Sequence, residues 1–131
     1  MKVINLSKPK ITIPFEDNGK PLFELYVDRS DETLLKIGQI QNDLEEKSNA
    51  LIDKAQFQHA DEAELIEEAK EIQRHAYDTL LGEGAFNQVY GVIGSVEEMS
   101  AVLLTICEGI ANEIKSERAK VDQRMQKYLK K

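Results

Sequence analysis

Apolar and polar residues alternate twice near the start of the chain. Ile11, Ile13 and Phe15 stand against Thr12, Pro14 and Glu16, and the same period recurs from Leu22 to Val27. A period of two marks a strand with one buried face. Between the runs lies Asp17-Asn18-Gly19-Lys20, whose Asn-Gly pair readily takes the positive φ values of a tight hairpin turn. Pro14 has no N–H to give a ladder, so its strand belongs at an edge or the residue at a non-bonded position. A lone two-stranded hairpin is marginal in water, and its apolar side chains must pack on the rest of the chain or pair with another.

Beyond residue 29 the period lengthens to that of a helix. Ser30, followed by Asp31 and Glu32, reads as an N-cap with carboxylates at the positive end of a helix dipole. Leu34, Ile37, Leu44, Leu51 and Ala55 then form a stripe in which Gln41 and Ser48 fill two places, so this face is only half apolar. Asp61 and Glu64 have the spacing of a capping box. Leu65, Ala69, Ile72, Ala76 and Leu80 follow as far as Gly82 and predict a helix over 61–81. Residues 82–94 hold four of the seven glycines around a short apolar segment, which reads as a short helix between hinges. Ser95 and Glu98 make another capping box, opening a stripe of Met99, Val102, Leu103, Ile106, Ile110 and Ile114 that continues through Val121, Met125 and Tyr128. No proline interrupts it, so one helix of about 50 Å, at ~1.5 Å per residue, is expected from Ser95 to near the C-terminus. Its far end would project beyond a small globule.

The expected fold is therefore α+β, mainly α, with an N-terminal β-hairpin, a helical body and a long C-terminal helix. A length of 131 residues, 41% of them hydrophobic, suits one core. The whole chain is read as a single domain, 1–131, with a hairpin region (1–29), a helical body (30–114) and the basic end of the last helix (115–131).

Charge narrows the partners. Seventeen basic against twenty-four acidic side chains give a net charge of −7, which repels nucleic acid and anionic membrane, so neither is expected to bind. The charge is also divided. From Asp61 to Glu113 there are twelve acidic residues and two basic ones, a net of −10, whereas Lys115 to Lys131 holds seven basic residues and two acidic ones, a net of +5. The basic end either complements its helix dipole as a solvated tail or bridges to the acidic region of a neighbouring copy. The second option, with the hairpin edge, makes a homo-oligomer the expected state. The N-terminus lacks the continuous apolar stretch of a signal peptide, and no apolar run approaches the ~20 residues needed to span a bilayer. The single cysteine, Cys107, lies among apolar residues and cannot form an internal disulfide. A reducing, cytoplasmic location is expected.

Catalytic chemistry finds little to work with. Glu67-Glu68-Ala69-Lys70-Glu71 puts carboxylates one helical turn apart, where they can hold Mg²⁺. This resembles the first half of the metal motif of all-α nucleotide pyrophosphohydrolases. The second half, Glu-x-x-Asp on a following helix, is missing, since Glu97 and Glu98 are followed three residues later by Ser100 and Ala101. Glu71 and His75 stand four apart, whereas helical di-metal sites use Glu-x-x-His. Cys107 has no basic neighbour, and Glu108 beside it opposes a thiolate. No Gly-Lys-Ser/Thr phosphate loop occurs, and Tyr128 is the lone aromatic among the C-terminal cations. No enzyme activity, metal or cofactor is expected.

The N-terminal Ile-Thr-Ile-Pro-Phe strand with its Asn-Gly turn, the acidic helical middle, and the segment GEGAFNQVYGVIGSVEEMSAVLLTICEGIANEI together resemble the tail assembly chaperones of siphophages and of prophages of Gram-positive bacteria. The likeness spans residues 3–114, and its most telling part runs from Gly82 to Ile114. It implies a small protein of the bacterial host cytoplasm that binds the hydrophobic tape measure protein, keeps it soluble and helps the tail tube protein polymerise around it. It also implies self-association and, in many relatives, a longer form made by ribosomal frameshifting. The residues that would serve partner binding are Phe23 and Leu25 on the hairpin, and Ile106, Ile110, Ile114, Val121, Met125 and Tyr128 on the last helix, a ridge suited to helix-in-groove recognition. The stretch from Ile106 to Ile114 reads equally well as core. The alternatives are a structural or adaptor protein of a phage particle and a small metal-dependent all-α nucleotide pyrophosphohydrolase.

Overall fold

The computed structural model describes residues 1–129. The chain is α+β and mainly α: strands β1 (Lys10–Asp17) and β2 (Lys20–Asp28) precede helices α1 (Asp31–Phe57), α2 (Glu62–Leu81), α3 (Ala85–Ile93) and α4 (Val96–Leu129). Lys130 and Lys131, the last cations expected on the C-terminal helix, lie outside the described residues.

The strands pair antiparallel, with Ile11 opposite Val27, Ile13 opposite Leu25 and Phe15 opposite Phe23. Asn18 and Gly19 turn the chain with φ of 49° and 85°, as the Asn-Gly pair requires. The register shifts beyond Phe15, where Glu16 meets Pro21 and Leu22 is left over as a bulge. On the inner face the rings of Phe15 and Phe23 stack across the strands at 4.9 Å. Ile11 and Val27, at the open end, are buried in the common core, while Ile13, Phe15, Phe23 and Leu25 are half-buried against it.

Ser30 caps α1 as expected, its Oγ accepting from Thr33 N at 3.3 Å. The buried face differs from the predicted stripe: Thr33, Ile37 and Ile40 are buried and Leu44 half-buried, whereas Ala55 is exposed. The apolar contacts thin out toward the C-terminal half of α1. There Lys54 joins α1 to α2 by donating to Glu64 at 3.0 Å and to Glu68. That pull on Glu64 coincides with the absence of the predicted capping box, since Asp61 makes no side-chain cap bond.

The second half of α2 is the centre of the body. Ala76, Tyr77, Leu80 and Leu81 are buried, and Tyr77 is fully enclosed. Its hydroxyl donates to the Met99 carbonyl of α4 at 2.6 Å, and its ring meets that of Phe86 of α3 edge-on at 5.9 Å. Burial, with Cys107 nearby adding to it, holds this hydroxyl protonated well above the usual phenol range. Asp78 Oδ1 accepts from Phe86 N at 3.0 Å and so caps α3 from the neighbouring helix. On the outer side Lys70 lies over the ring of Tyr90 and Arg74 over that of Phe86, each at 4.9 Å. The two cations in the acidic middle thus fasten α2 to α3.

Gly94 ends α3 in the left-handed region at φ 66°, where a side chain is costly. Ser95 then opens α4, its Oγ accepting from Glu98 N at 3.4 Å. Met99, Leu103, Ile106, Cys107, Ile110 and Ile114 of α4 are buried. Every residue from Arg118 to Leu129 is exposed, so the helix runs about 22 Å past its last core contact at ~1.5 Å per residue.

Two substitutions test this account by urea denaturation. Phe86→Ala removes an enclosed ring that two helices share and is expected to cost about 3–5 kcal/mol. Tyr77→Phe keeps the ring and loses one buried hydrogen bond, and should cost about 1 kcal/mol. Equal costs for the two would contradict the described packing.

Candidate protein-binding site

The residues proposed for partner binding fall into three environments. Phe23 and Leu25 are half-buried on the inner face of the hairpin, where they pack against the core. Ile106, Ile110 and Ile114 are only 7%, 1% and 4% exposed. Their place in a binding ridge is corrected accordingly: they hold α4 to the body, and a partner reaches them only where a surface groove opens beside them. Val121, Met125 and Tyr128 are 50%, 56% and 76% exposed. They continue the core stripe onto the projecting part of α4, where their spacing of four and three keeps them on one side.

The joint between the core and the projecting part is held by charge. Arg118 donates to Asp31 at the start of α1 at 2.8 Å, and Arg29 lies 3.9 Å from Glu117. A cleft of about 280 Å³ forms here, lined by Ile114 and Val121 between those charged groups. Beyond it Lys120, Arg124 and Lys127 lie along one flank of Val121 and Met125, with Asp122 on the other. The resulting surface is apolar along one line and cationic along one side of it.

A second surface adds α4 to the expected hairpin edge. Between the edge of β1 and the N-terminal half of α4 lies a groove of about 570 Å³, lined by Ile11 through Glu16 on one side and by Val102, Thr105, Ile106 and Gly109 on the other. No local spacing marks it, because its walls are some ninety positions apart in sequence. Its one sequence signal is Gly109, a residue without a side chain in the middle of a helix.

The groups weighed for catalysis are engaged elsewhere. Glu68 and Glu64 share Lys54, Glu67 pairs with Lys70 at 3.3 Å, and Glu71 pairs with Arg74. Among the described residues no group of three or more His, Cys, Asp or Glu side chains is placed to hold a metal ion. His75 is exposed. Gln73 is buried and ties α2 to α4, its Nε2 donating to Val96 O at 2.6 Å and Ser100 Oγ at 2.7 Å. Its Oε1 has no donor among the described residues. Burial, reinforced by Glu108, pushes the Cys107 thiol above its ordinary range.

The chain matches no family model, no curated protein and no solved structure. The structure is that of a hairpin-plus-helices α+β protein with a projecting C-terminal helix. No helix of the described residues is long and apolar enough to cross a membrane.

The buried thiol gives a direct check. Cys107 should react with a disulfide reagent many-fold more slowly in the native protein than in denaturant. Native labelling at the rate of a free cysteine would mean that the α2–α4 contact opens readily.

Proposed function

We propose that this chain is a non-catalytic binding protein of the tail assembly chaperone kind, which shields the amphipathic helices of a tape measure protein and assists assembly of the tail tube around it. One observation carries the reading: α4 extends beyond the core with Val121 and Met125 exposed on one side and Lys120, Arg124 and Lys127 along one flank of them. An isolated helix end of this length has little reason to stay helical through propensity alone. A client helix laid along the stripe would cover its apolar residues, and the cations on one flank would favour a client with acidic residues along that side. Met125, unbranched and polarizable, adapts to varied client surfaces. The engagement of Glu64, Glu67, Glu68 and Glu71 by cations supports a binding role over metal-dependent nucleotide hydrolysis. The setting proposed for this activity is the bacterial host cytoplasm.

Co-expression with a tape measure protein tests the reading. The soluble fraction of the client should rise several-fold with the natural chain and fall back with Val121→Asp combined with Met125→Asp. Because both positions lie outside the core, the double variant should keep the melting temperature of the natural protein. A client whose solubility is unaffected by the natural chain would remove the basis for this function.

A further inference from the structure

Residues 1–9 form neither helix nor strand, yet Val3, Ile4 and Leu6 are 98%, 67% and 87% exposed. So much apolar surface on one short arm is unexpected in a segment that covers nothing. The same molecule has an uncovered groove between β1 and α4. We infer that this groove receives the N-terminal arm of a second copy of the chain, added as a strand along the free edge of β1.

The geometry favours strand addition. Among the described residues the sheet has two strands, so the backbone groups of β1 that face away from β2 have no ladder partner there, and an edge of this kind pairs with an extended segment. Residues 3–8 of the arm, fully extended, span about 20 Å at ~3.3 Å per residue, which equals the six residues of β1 that line the groove. In an extended arm Lys2, Ile4, Leu6 and Lys8 point to one side, an apolar pair between two cations. The groove offers apolar walls with Glu16 and Glu113 in them. Residues 1–10 contain three lysines and no acid, so the charges are complementary. The groove floor is also open, since a Cβ placed on Gly109 would meet nothing within 4 Å.

The chain's own arm is poorly placed to fill the groove. Pro9 O accepts from Arg29 N at 2.8 Å, and Lys8 lies 3.9 Å from Asp28, so the base of the arm follows the end of β2. Lys8, preceding a proline, favours extended backbone. Asn5 Oδ1 accepts from Ser7 N at 3.1 Å and from Ser7 Oγ at 2.8 Å, a local turn that the strand exchange would have to open. Between it and β1 the residues Leu6-Ser7-Lys8-Pro9 include no glycine or asparagine for a tight reversal. Two copies exchanging arms satisfy both grooves through one two-fold contact.

Sedimentation of the full chain at low salt tests this with two variants that spare the core. Ile4→Lys combined with Leu6→Lys disables the arm. Gly109→Lys fills the groove with a cation at an exposed helical position. The natural chain should shift from monomer to dimer as concentration rises, and less so at high salt. Each variant alone should remain monomeric at the concentration where the natural chain is dimeric, with unchanged helical content and melting temperature. An equimolar mixture of the two variants should recover dimers in part, at higher concentration than the natural chain, because the intact arm of one fits the open groove of the other and restores one of the two contacts. A natural chain that is monomeric throughout, a dimer indifferent to both variants, or a mixture that stays monomeric would each overturn the inference. The exchange is separate from client binding: Val121→Asp with Met125→Asp should leave the dimer intact.

Discussion

Tyr77 occupies the point where three helices meet. Its ring is closed off by Phe86 from α3 and by the first turns of α4, and its hydroxyl has the Met99 carbonyl as an acceptor. A buried hydroxyl without a partner is expensive, so α4 must enter the body at one height and one rotation about its axis. The remaining architecture follows from that constraint. Leu103, Ile106 and Ile110 come to lie in the core, Gln73 reaches Val96 and Ser100, and the far end of α4 is aimed past the start of α1. The hairpin, anchored in the core chiefly at Ile11 and Val27, then lies beside a helix whose position is already set.

Charge serves two purposes in this molecule. In the acidic middle, Lys70 and Arg74 each combine a carboxylate on their own helix with an aromatic face on α3, so the few cations present are used as fasteners. In the last helix the cations are more numerous and mostly solvated. Among the described residues only Arg118 is tied back to the body through a separate element, at Asp31. The contrast separates the part of the chain that holds the fold from the solvated stretch beyond it.

Features with local causes were legible in the sequence. The Asn18-Gly19 turn, the Ser30 cap and the long last helix each follow from a few neighbouring residues, and each stands where it was expected. Features decided by distant neighbours were not. Leu34, Ile37, Ile40 and Leu44 support two overlapping stripes on α1, and only the position of α2 selects the one containing Thr33 and Ile40 over the one containing Gln41. Asp61 has the spacing of a cap, but Glu64 is drawn toward Lys54 of another helix. The site was half visible for a related reason. An unbroken stripe from Met99 to Tyr128 does not say where the globule stops, although the change of charge at Lys115, one residue past the last buried position, marks the boundary.

The continuity of α4 across that boundary separates reach from stability. An insertion beyond Arg118 leaves the core and its ion-paired joint untouched, and acts only on the length and facing of the arm beyond. One added residue would turn the outer stripe by about 100°, whereas seven would lengthen it by about 10 Å and return it to nearly the same side. The outer helix is in this sense a ruler graduated in heptads, which selection can lengthen or shorten without altering the body that carries it.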